Sequence, residues 1–383
     1  MLPLPELYNN SLKKHLDKRQ YLILSILVNL LQSLHQVRLE ELATRFPSPI
    51  QLRSRIKKLQ RFLSLPQFNF ETLWLPLIEI WIQQQWKQGE IMYIVIDRTQ
   101  WKANNLILVS VVYDHRAIPL YAAWLPKKGN SNLEQQKEVL EPVLKRLKNY
   151  KVVVLGDREF CGVDLARWLS REKKVYFSLR LKKNEYVELE PQIWWQLKEL
   201  GLSQGMSVYY QGVKVTKTKG FGGVNFAAKW KRKYRGKSSK EPGLIMTNLE
   251  NLSVAMSAYS QRMGIEEMFR DFKKGGYQLE GTQVTGERLI SLVLLISLAY
   301  CWSTLSGQSL KQKGVAKYVS RPTSPRRSYR QHSSFYIGLH GQNWLDSLTF
   351  FHEEMQQLMS FSPHKQSYYR KGLRAASLIQ SAL

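Results

Sequence analysis

The run KVVVLGD, residues 151–157, is apolar at every position from Val152 to Leu155. A strand that is apolar on both faces must be covered on both faces, so the chain around it has to build a sheet enclosed by helices. The neighbouring sequence supplies the parts. IMYIVID from Ile91, LILVSVVYD from Leu106 and IPLYAAWL from Ile118 are β-branched and aromatic runs, separated by turn residues at Asn104, Asn105 and Asp114 to Arg116. SNLEQQKEVLEPVLKRLKN then carries an apolar helical stripe and leads into the KVVVL strand. After it, VDLARWLSREK reads as a helix and VYFSLRLK as a strand.

The order β-β-β-α-β-α-β is that of an α/β, ribonuclease H-like mixed-sheet core. Between about residues 184 and 242 the pattern is interrupted by VYYQGVKVTKTKG and FGGVNFAAKWKRKYRGKSSK, which read as short strands with glycine turns and many cations. An inserted β-subdomain lying on DNA fits this stretch, and a flexible basic loop is the alternative. GLIMTN reads as one more strand, and a single long helix is expected from about Ser253 to Lys274. The chain thus divides into a helical region at 1–88, the core at 89–286 and a C-terminal helical region at 287–383, assigned to dimerisation or DNA contact. That last region includes the basic stretch RPTSPRRSYRQ.

In the N-terminal region, LEELATRF, the PSP at Pro47 to Pro49 and IQLRSRIKKLQRFL outline a helix, a tight turn and a second helix. The second helix holds Arg53, Arg55, Lys57, Lys58 and Arg61 without an acid, as a helix reading the major groove would. A solvated basic face on a helical bundle is the plainer reading. Charge favours DNA: the 383 residues carry a formal net charge of +27, a standing attraction for polyanions. An apolar fraction of 44% argues against a disordered basic tail.

Cys161 and Cys301 lie far apart in no metal-binding spacing, and MLPLPELYNN lacks the pattern of a signal peptide, so a reducing, cytoplasmic location is expected. The apolar runs 21–31 and 289–305 are short and interrupted, and read as buried helices rather than membrane spans. No membrane partner is expected.

Phosphodiester chemistry by two divalent ions needs hard carboxylate oxygens on rigid elements. Asp97 ends the first strand and Asp157 the fourth, which places two acids on neighbouring strand ends; each is equally suited to forming a turn. In YSQRMGIEEMFRDFKKGG, Tyr259, Arg262, Glu266 and Lys273 fall on one helical face, within about 60° of one another. That face presents one carboxylate, two cations and an aromatic ring. An ordinary charged helix, with Glu266 paired to Arg270, is the alternative. Glu267 points about 100° away from Glu266 and is left out of the trio.

The spacing tyrosine, two residues, arginine, three residues, glutamate, six residues, lysine resembles the tyrosine-arginine-glutamate-lysine motif of the IS4-type transposases. VIDRTQW, LGDREF and IEEMFRDFK agree with that family as well, over roughly residues 91–274. The resemblance implies a bacterial cut-and-paste DNA transposase of an insertion sequence. Its catalytic and metal-binding triad would be Asp97, Asp157 and Glu266, with Asp97 bridging two Mg²⁺ ions and Mn²⁺ able to substitute. Arg262 and Lys273 would hold backbone phosphates and Tyr259 the terminal nucleotides. The partners implied are double-stranded DNA, as terminal inverted repeats and target, and a second copy of the chain as a homodimer. Cleavage would pass through a DNA hairpin. The chain departs from the family at Met263 and Gly264, where relatives often carry a tryptophan that handles a displaced base. Trp194, Trp195 and Trp230 are candidates for that role, although Ile193 and Leu197 suggest core packing for the first two. A catalytically silent DNA-binding relic and a nuclease that only hydrolyses are the competing readings.

Overall fold

The computed structural model describes residues 4–233, 239–321 and 332–382. The basic stretch after Arg321 and part of the KRKYRGKSSK segment therefore lie outside the described residues. Two compact units are present, one of residues 1–73 with 270–383 and the other of residues 74–269. The N-terminal helices and the C-terminal helical region, which the sequence separates, thus belong to one unit.

In the first unit, α1 (Glu6–Leu12), α2 (Lys18–Leu34), α3 (Leu39–Arg45) and α4 (Leu52–Leu63) lead the chain. The helix, turn and helix expected around Pro47 are α3 and α4. In the second unit, α5 (Leu75–Gln85) precedes β1 (Ile91–Trp101), β2 (Asn104–Tyr113), β3 (Arg116–Trp124), α6 (Leu133–Arg146), β4 (Lys151–Gly156), α7 (Val163–Arg167) and β5 (Tyr176–Arg180). The insertion contributes β6 (Tyr186–Glu190), β7 (Ile193–Gln196), β8 (Ser207–Val215) and β9 (Phe221–Lys229). The chain then runs through β10 (Gly243–Thr247), α8 (Leu252–Ser260) and α9 (Met263–Phe272). Back in the first unit follow α10 (Glu287–Gln312), α11 (Ser334–Phe350), α12 (His352–Ser360) and α13 (Gln366–Gln380).

The sheet order is β3-β2-β1-β4-β5-β10-β9-β8-β6-β7. Its first five strands, with β1, β4 and β5 parallel and β2 and β3 added antiparallel at the edge, have the ribonuclease H-like topology. Val152 to Leu155 are buried, as an interior strand apolar on both faces requires. The insertion is β-structured, but its strands continue the core sheet instead of forming a separate one: β10 pairs with β5 on one side and β9 on the other. Backbone groups left open at the edge of β5 are satisfied this way.

The long helix expected from Ser253 to Lys274 is broken. Between α8 and α9 the backbone bonds run i to i+3, from Gln261 to Ala258, Arg262 to Tyr259, Gly264 to Gln261 and Ile265 to Arg262. The start of α9 meets the β2–β3 turn, where a Cβ on Gly264 would lie 3.1 Å from the Ala117 nitrogen and 3.2 Å from the Arg116 carbonyl carbon. Glycine at 264 is a packing requirement of that close approach.

In the first unit the two apolar runs form α2 and α10. By length and composition α10 could cross a membrane, yet 89% of its most apolar window is buried within the protein. Several buried polar groups link the N-terminal helices to α10 within this unit: Gln32 donates to the Ala299 carbonyl at 2.8 Å and accepts from Ser303 at 2.8 Å, and Tyr8 donates to the Leu298 carbonyl at 2.9 Å. At the α10–α11 crossing, Gly307 and Gly338 let the two backbones touch, each where a Cβ would collide with a carbonyl of the other helix.

Because the contact at Gly264 is backbone, Gly264→Ala is expected to show none of the ~1 kcal/mol that alanine normally gains over glycine in a helix. Gly264→Val should cost about 2 kcal/mol or more by overpacking. Chemical denaturation of the variants checks both.

Candidate active site

Asp97 does not end its strand. β1 runs four residues further and keeps pairing with β2, with Asp97 opposite Leu108. What ends is the ladder with β4, whose last partners are Ile96 and Gly156. Asp97 and Asp157 are thus the first residues beyond that ladder on each strand. Asp157 also serves the turn, since its Oδ1 accepts from the Glu159 backbone N–H at 2.8 Å and starts the short helical turn Arg158–Phe160. Turn former and candidate site acid are the same residue.

Asp97 is largely buried, with only 13% of its side chain exposed. Its Oδ1 accepts from the Arg98 backbone N–H at 2.7 Å and its Oδ2 from an Arg262 terminal nitrogen at 3.0 Å. The other terminal nitrogen of Arg262 donates to Glu266 Oε1. One buried guanidinium therefore joins an acid of β1 to an acid in the first turn of α9. Burial pushes the Asp97 carboxyl up to about 7, and the charges of Asp157 and Glu266 push the same way, against the Arg98 N–H and Arg262. All three acids are within electrostatic reach of one another at Asp97.

The helix break changes how the motif is presented. Tyr259 stands near the end of α8, Arg262 in the turn, and Glu266 in α9; Arg262 lies against the Tyr259 ring and pairs with Glu266 at local spacing, while Asp97 is reached by a tertiary contact. The Tyr259 hydroxyl is buried without a hydrogen-bond partner; burial raises its proton affinity, while the nearby charges of Arg262 and Arg180 oppose the rise. Glu266 is paired with Arg262, not Arg270. Glu267 pairs with Arg116 at 3.9 Å, away from the trio. Lys273 follows the last residue of α9 in the stretch belonging to the other unit, where it binds Glu280 at 2.8 Å.

Two further residues tie the site together and carried no marking in the sequence beyond standing next to the acids. Arg98 Nε donates to both Glu159 oxygens, at 3.0 and 2.7 Å, with 15% and 10% of the side chains exposed. Glu159 also accepts from the Ser131 N–H and hydroxyl, both at 2.8 Å, and Arg98 reaches Asn105 at 2.8 Å. The stretch of β1 after Asp97 and the turn after Asp157 are thereby locked to each other.

In the first unit, the basic residues of α4 split by use. Arg55 donates to the Thr44 and Phe46 carbonyls, and Lys58 lies over the Phe46 ring, so both hold α4 against α3. Arg53, Lys57 and Arg61 are exposed. Of the tryptophans in the insertion, Trp195 is 45% exposed, which removes the core-packing reading for it. Trp194 is half-buried, and Trp230 donates to the Ser239 carbonyl at 2.9 Å.

The sequence model of one family, described as Transposase DDE domain, matches residues 94–302. The chain belongs to that family. It is a DDE transposase, and the chemistry of such proteins is cleavage and transfer of DNA strands with divalent metal ions. A comparison with curated proteins returns no match. Among solved structures, the transposase is similar to a piggyBac transposase synaptic complex with hairpin DNA, at 14% identity and a TM-score of 0.44, over 94% of this chain and 75% of that one.

Among the described residues, no three His, Cys, Asp or Glu side chains stand grouped as a ready-made ion cage. The donor chemistry nonetheless fits a hard divalent ion: two of the three carboxylates are already held together by a cation, the Arg262 guanidinium.

Folded Asp97 holds its proton up to about pH 7 and the free side chain only to 3.8, so the ionised acid costs the fold stability as pH rises between those values. In chelator-treated protein, Asp97→Asn is expected to match the parent near pH 4 and to exceed it at pH 8 by on the order of 2–4 kcal/mol. Melting curves across that range would contradict this if the two proteins kept a constant offset. Glu159→Ala should cost about 3–5 kcal/mol by stranding buried Arg98, measured by urea unfolding.

Proposed function

We propose that the protein is a cut-and-paste transposase of an insertion sequence, of the IS4 type. The observation that carries this reading is the Arg262 guanidinium shared by Asp97 and Glu266, with Asp157 beside them at the point where β1 and β4 part. A structural ion pair would need one acid. Two acids on a deeply set cation, with Asp157 acting electrostatically on one of them, are costly unless cations of higher charge replace it during work.

Asp97, Asp157 and Glu266 would hold two Mg²⁺ ions, or Mn²⁺ in their place. When bound, the ions supply activation of the attacking oxygen and stabilisation of the leaving oxygen. Arg262, released by the carboxylates, then takes a backbone phosphate near the scissile bond. Tyr259, with its unpartnered hydroxyl, contacts the terminal nucleotide, and Lys273 binds a further phosphate. Cleavage at an element end exposes a 3′-OH, whose attack on the opposite strand closes a hairpin; reopening and joining to target DNA repeat the same in-line displacement. Terminal inverted repeats would be bound by the helical N-terminal region through Arg53, Lys57 and Arg61, and two copies of the chain would pair two ends. The protein would work in the bacterial cytoplasm, on the nucleoid when bound. Retention of all three acids speaks against a silent relic, and the cations around them against a nuclease that only hydrolyses.

Replacing Asp97, Asp157 or Glu266 singly by Ala is expected to abolish Mg²⁺-dependent strand cleavage on DNA carrying the element's ends, a loss of at least ~10³-fold, while duplex binding persists. Parental activity in any one variant would remove that residue from the triad.

A further inference from the structure

A groove of about 890 Å³ opens beside the site, between the carboxyl end of β5, the segment preceding β10, and α8. Arg180, Lys229, Lys231, Glu241, Tyr259 and Arg262 are among the residues that line it. Arg158, the residue after Asp157, reaches Glu241 as well. Glu241 Oε1 accepts from both Arg158 and Arg180, the latter at 3.1 Å. A single carboxylate oxygen thus serves two guanidinium groups.

The balance around it is uneven. Arg158 Nε, Arg180 Nε, Arg262 Nε and the Tyr259 hydroxyl are all buried without a well-aligned partner, although the hydroxyl lies against the Arg180 and Arg262 guanidinium groups. Buried donors are nearly always satisfied, so four orphans in one neighbourhood mark a place where an acceptor-rich group belongs. Nor is the charge compensated, because Lys229 and Lys231 add to the arginines and, among the described residues, Glu241 is the only acid lining the groove. Glu241 itself is 38% exposed, so it can swing out to water without opening a core. Arg158 lies just past the carboxyl end of β4 and Arg180 is the last residue of the parallel strand β5, where open α/β sheets form their ligand crevices.

We infer that this groove binds a phosphate of a DNA strand through Arg158, Arg180 and Tyr259, and that Glu241 occupies those cations as an anionic plug in the DNA-free protein. A phosphodiester offers two non-bridging oxygens in place of the one oxygen of Glu241, and arginine pairs with such groups in a fork. Displacing Glu241 therefore couples entry of a strand to release of Arg158, next to Asp157. DNA-free protein keeps the groove closed to weaker anions. The inference rests on the transposase reading for the identity of the strand, but its mechanism is one of binding alone.

Anisotropy of a short fluorescein-labelled single-stranded oligonucleotide, with the full chain in chelator, tests it. Glu241→Gln keeps the side-chain shape and removes the charge; it is expected to bind about tenfold tighter at low salt, with a log–log salt slope steeper by about 0.7 for each phosphate gained. Adding Arg180→Gln should return both to the parental values. An unchanged affinity and slope in folded Glu241→Gln would overturn the proposal. Should that variant fail to fold, Arg180→Gln in the parent carries the test: weaker binding with a flatter slope supports the groove, and unaltered binding overturns it. A protein that shows the Glu241 effect but never cleaves would lose the transposase reading alone. One that cleaves while Glu241→Gln binds like the parent would lose only the plug.

Discussion

A carboxylate set as deeply as Asp97 must be protonated, paired or bound to a metal, and in this chain Arg262 does the pairing. Much of the catalytic unit can be understood from that requirement. The guanidinium meets Glu266 by i,i+4 spacing and Asp97 across the fold, from the tight i to i+3 turns that separate α8 from α9. For α9 to sit close enough, its second residue has to be glycine against the β2–β3 turn. A local departure from good helix sequence is thus repaid by the placement of a charge.

The surrounding polar network gives the acids fixed positions. Arg98 and Glu159 stand one and two residues after Asp97 and Asp157, and their buried pair joins the end of β1 to the turn after β4, where no backbone ladder runs between them. Ser131 and Asn105 complete the hydrogen bonding of that pair. Because every member is matched, the network restrains these segments where a partly matched one would loosen them. The adjoining groove has the opposite character, with cations and hydroxyls left unmatched around Glu241. Rigid acids beside an unsatisfied anion site suit a protein whose substrate is a polyanion.

Much of the core could be read before any coordinates. Alternating β-branched runs marked β1, β2 and β3, and the doubly apolar KVVVL run marked the interior strand, because burial on two faces leaves no polar positions. The pair of helices around Pro47 was equally legible from its turn residues. Three features were not. Strand ends depend on which neighbour is still paired, so Asp97 lies mid-strand in β1 although it is the first residue past the β4 ladder. Helix continuity depends on what the turn has to bury, and propensity showed no reason to stop at Arg262. Exposure of Trp195 follows from its alternation on a short outer strand, where apolar neighbours in sequence point to both faces.

By itself, the sequence determined the order of the core elements and the positive charge, and singled out three acids as candidates, because periodicity, composition and residue type are local properties of the chain. Only the tertiary structure decided that Arg262 would be shared by two of those acids, that Arg98 and Glu159 would lock the acid-bearing segments, and that the inserted strands would extend the core sheet through β10. Apart from the i,i+4 contact of Arg262 with Glu266, these are pairings between residues tens to more than a hundred and fifty positions apart. Nothing in local periodicity encodes which distant partner will neutralise a buried charge or complete an open strand edge.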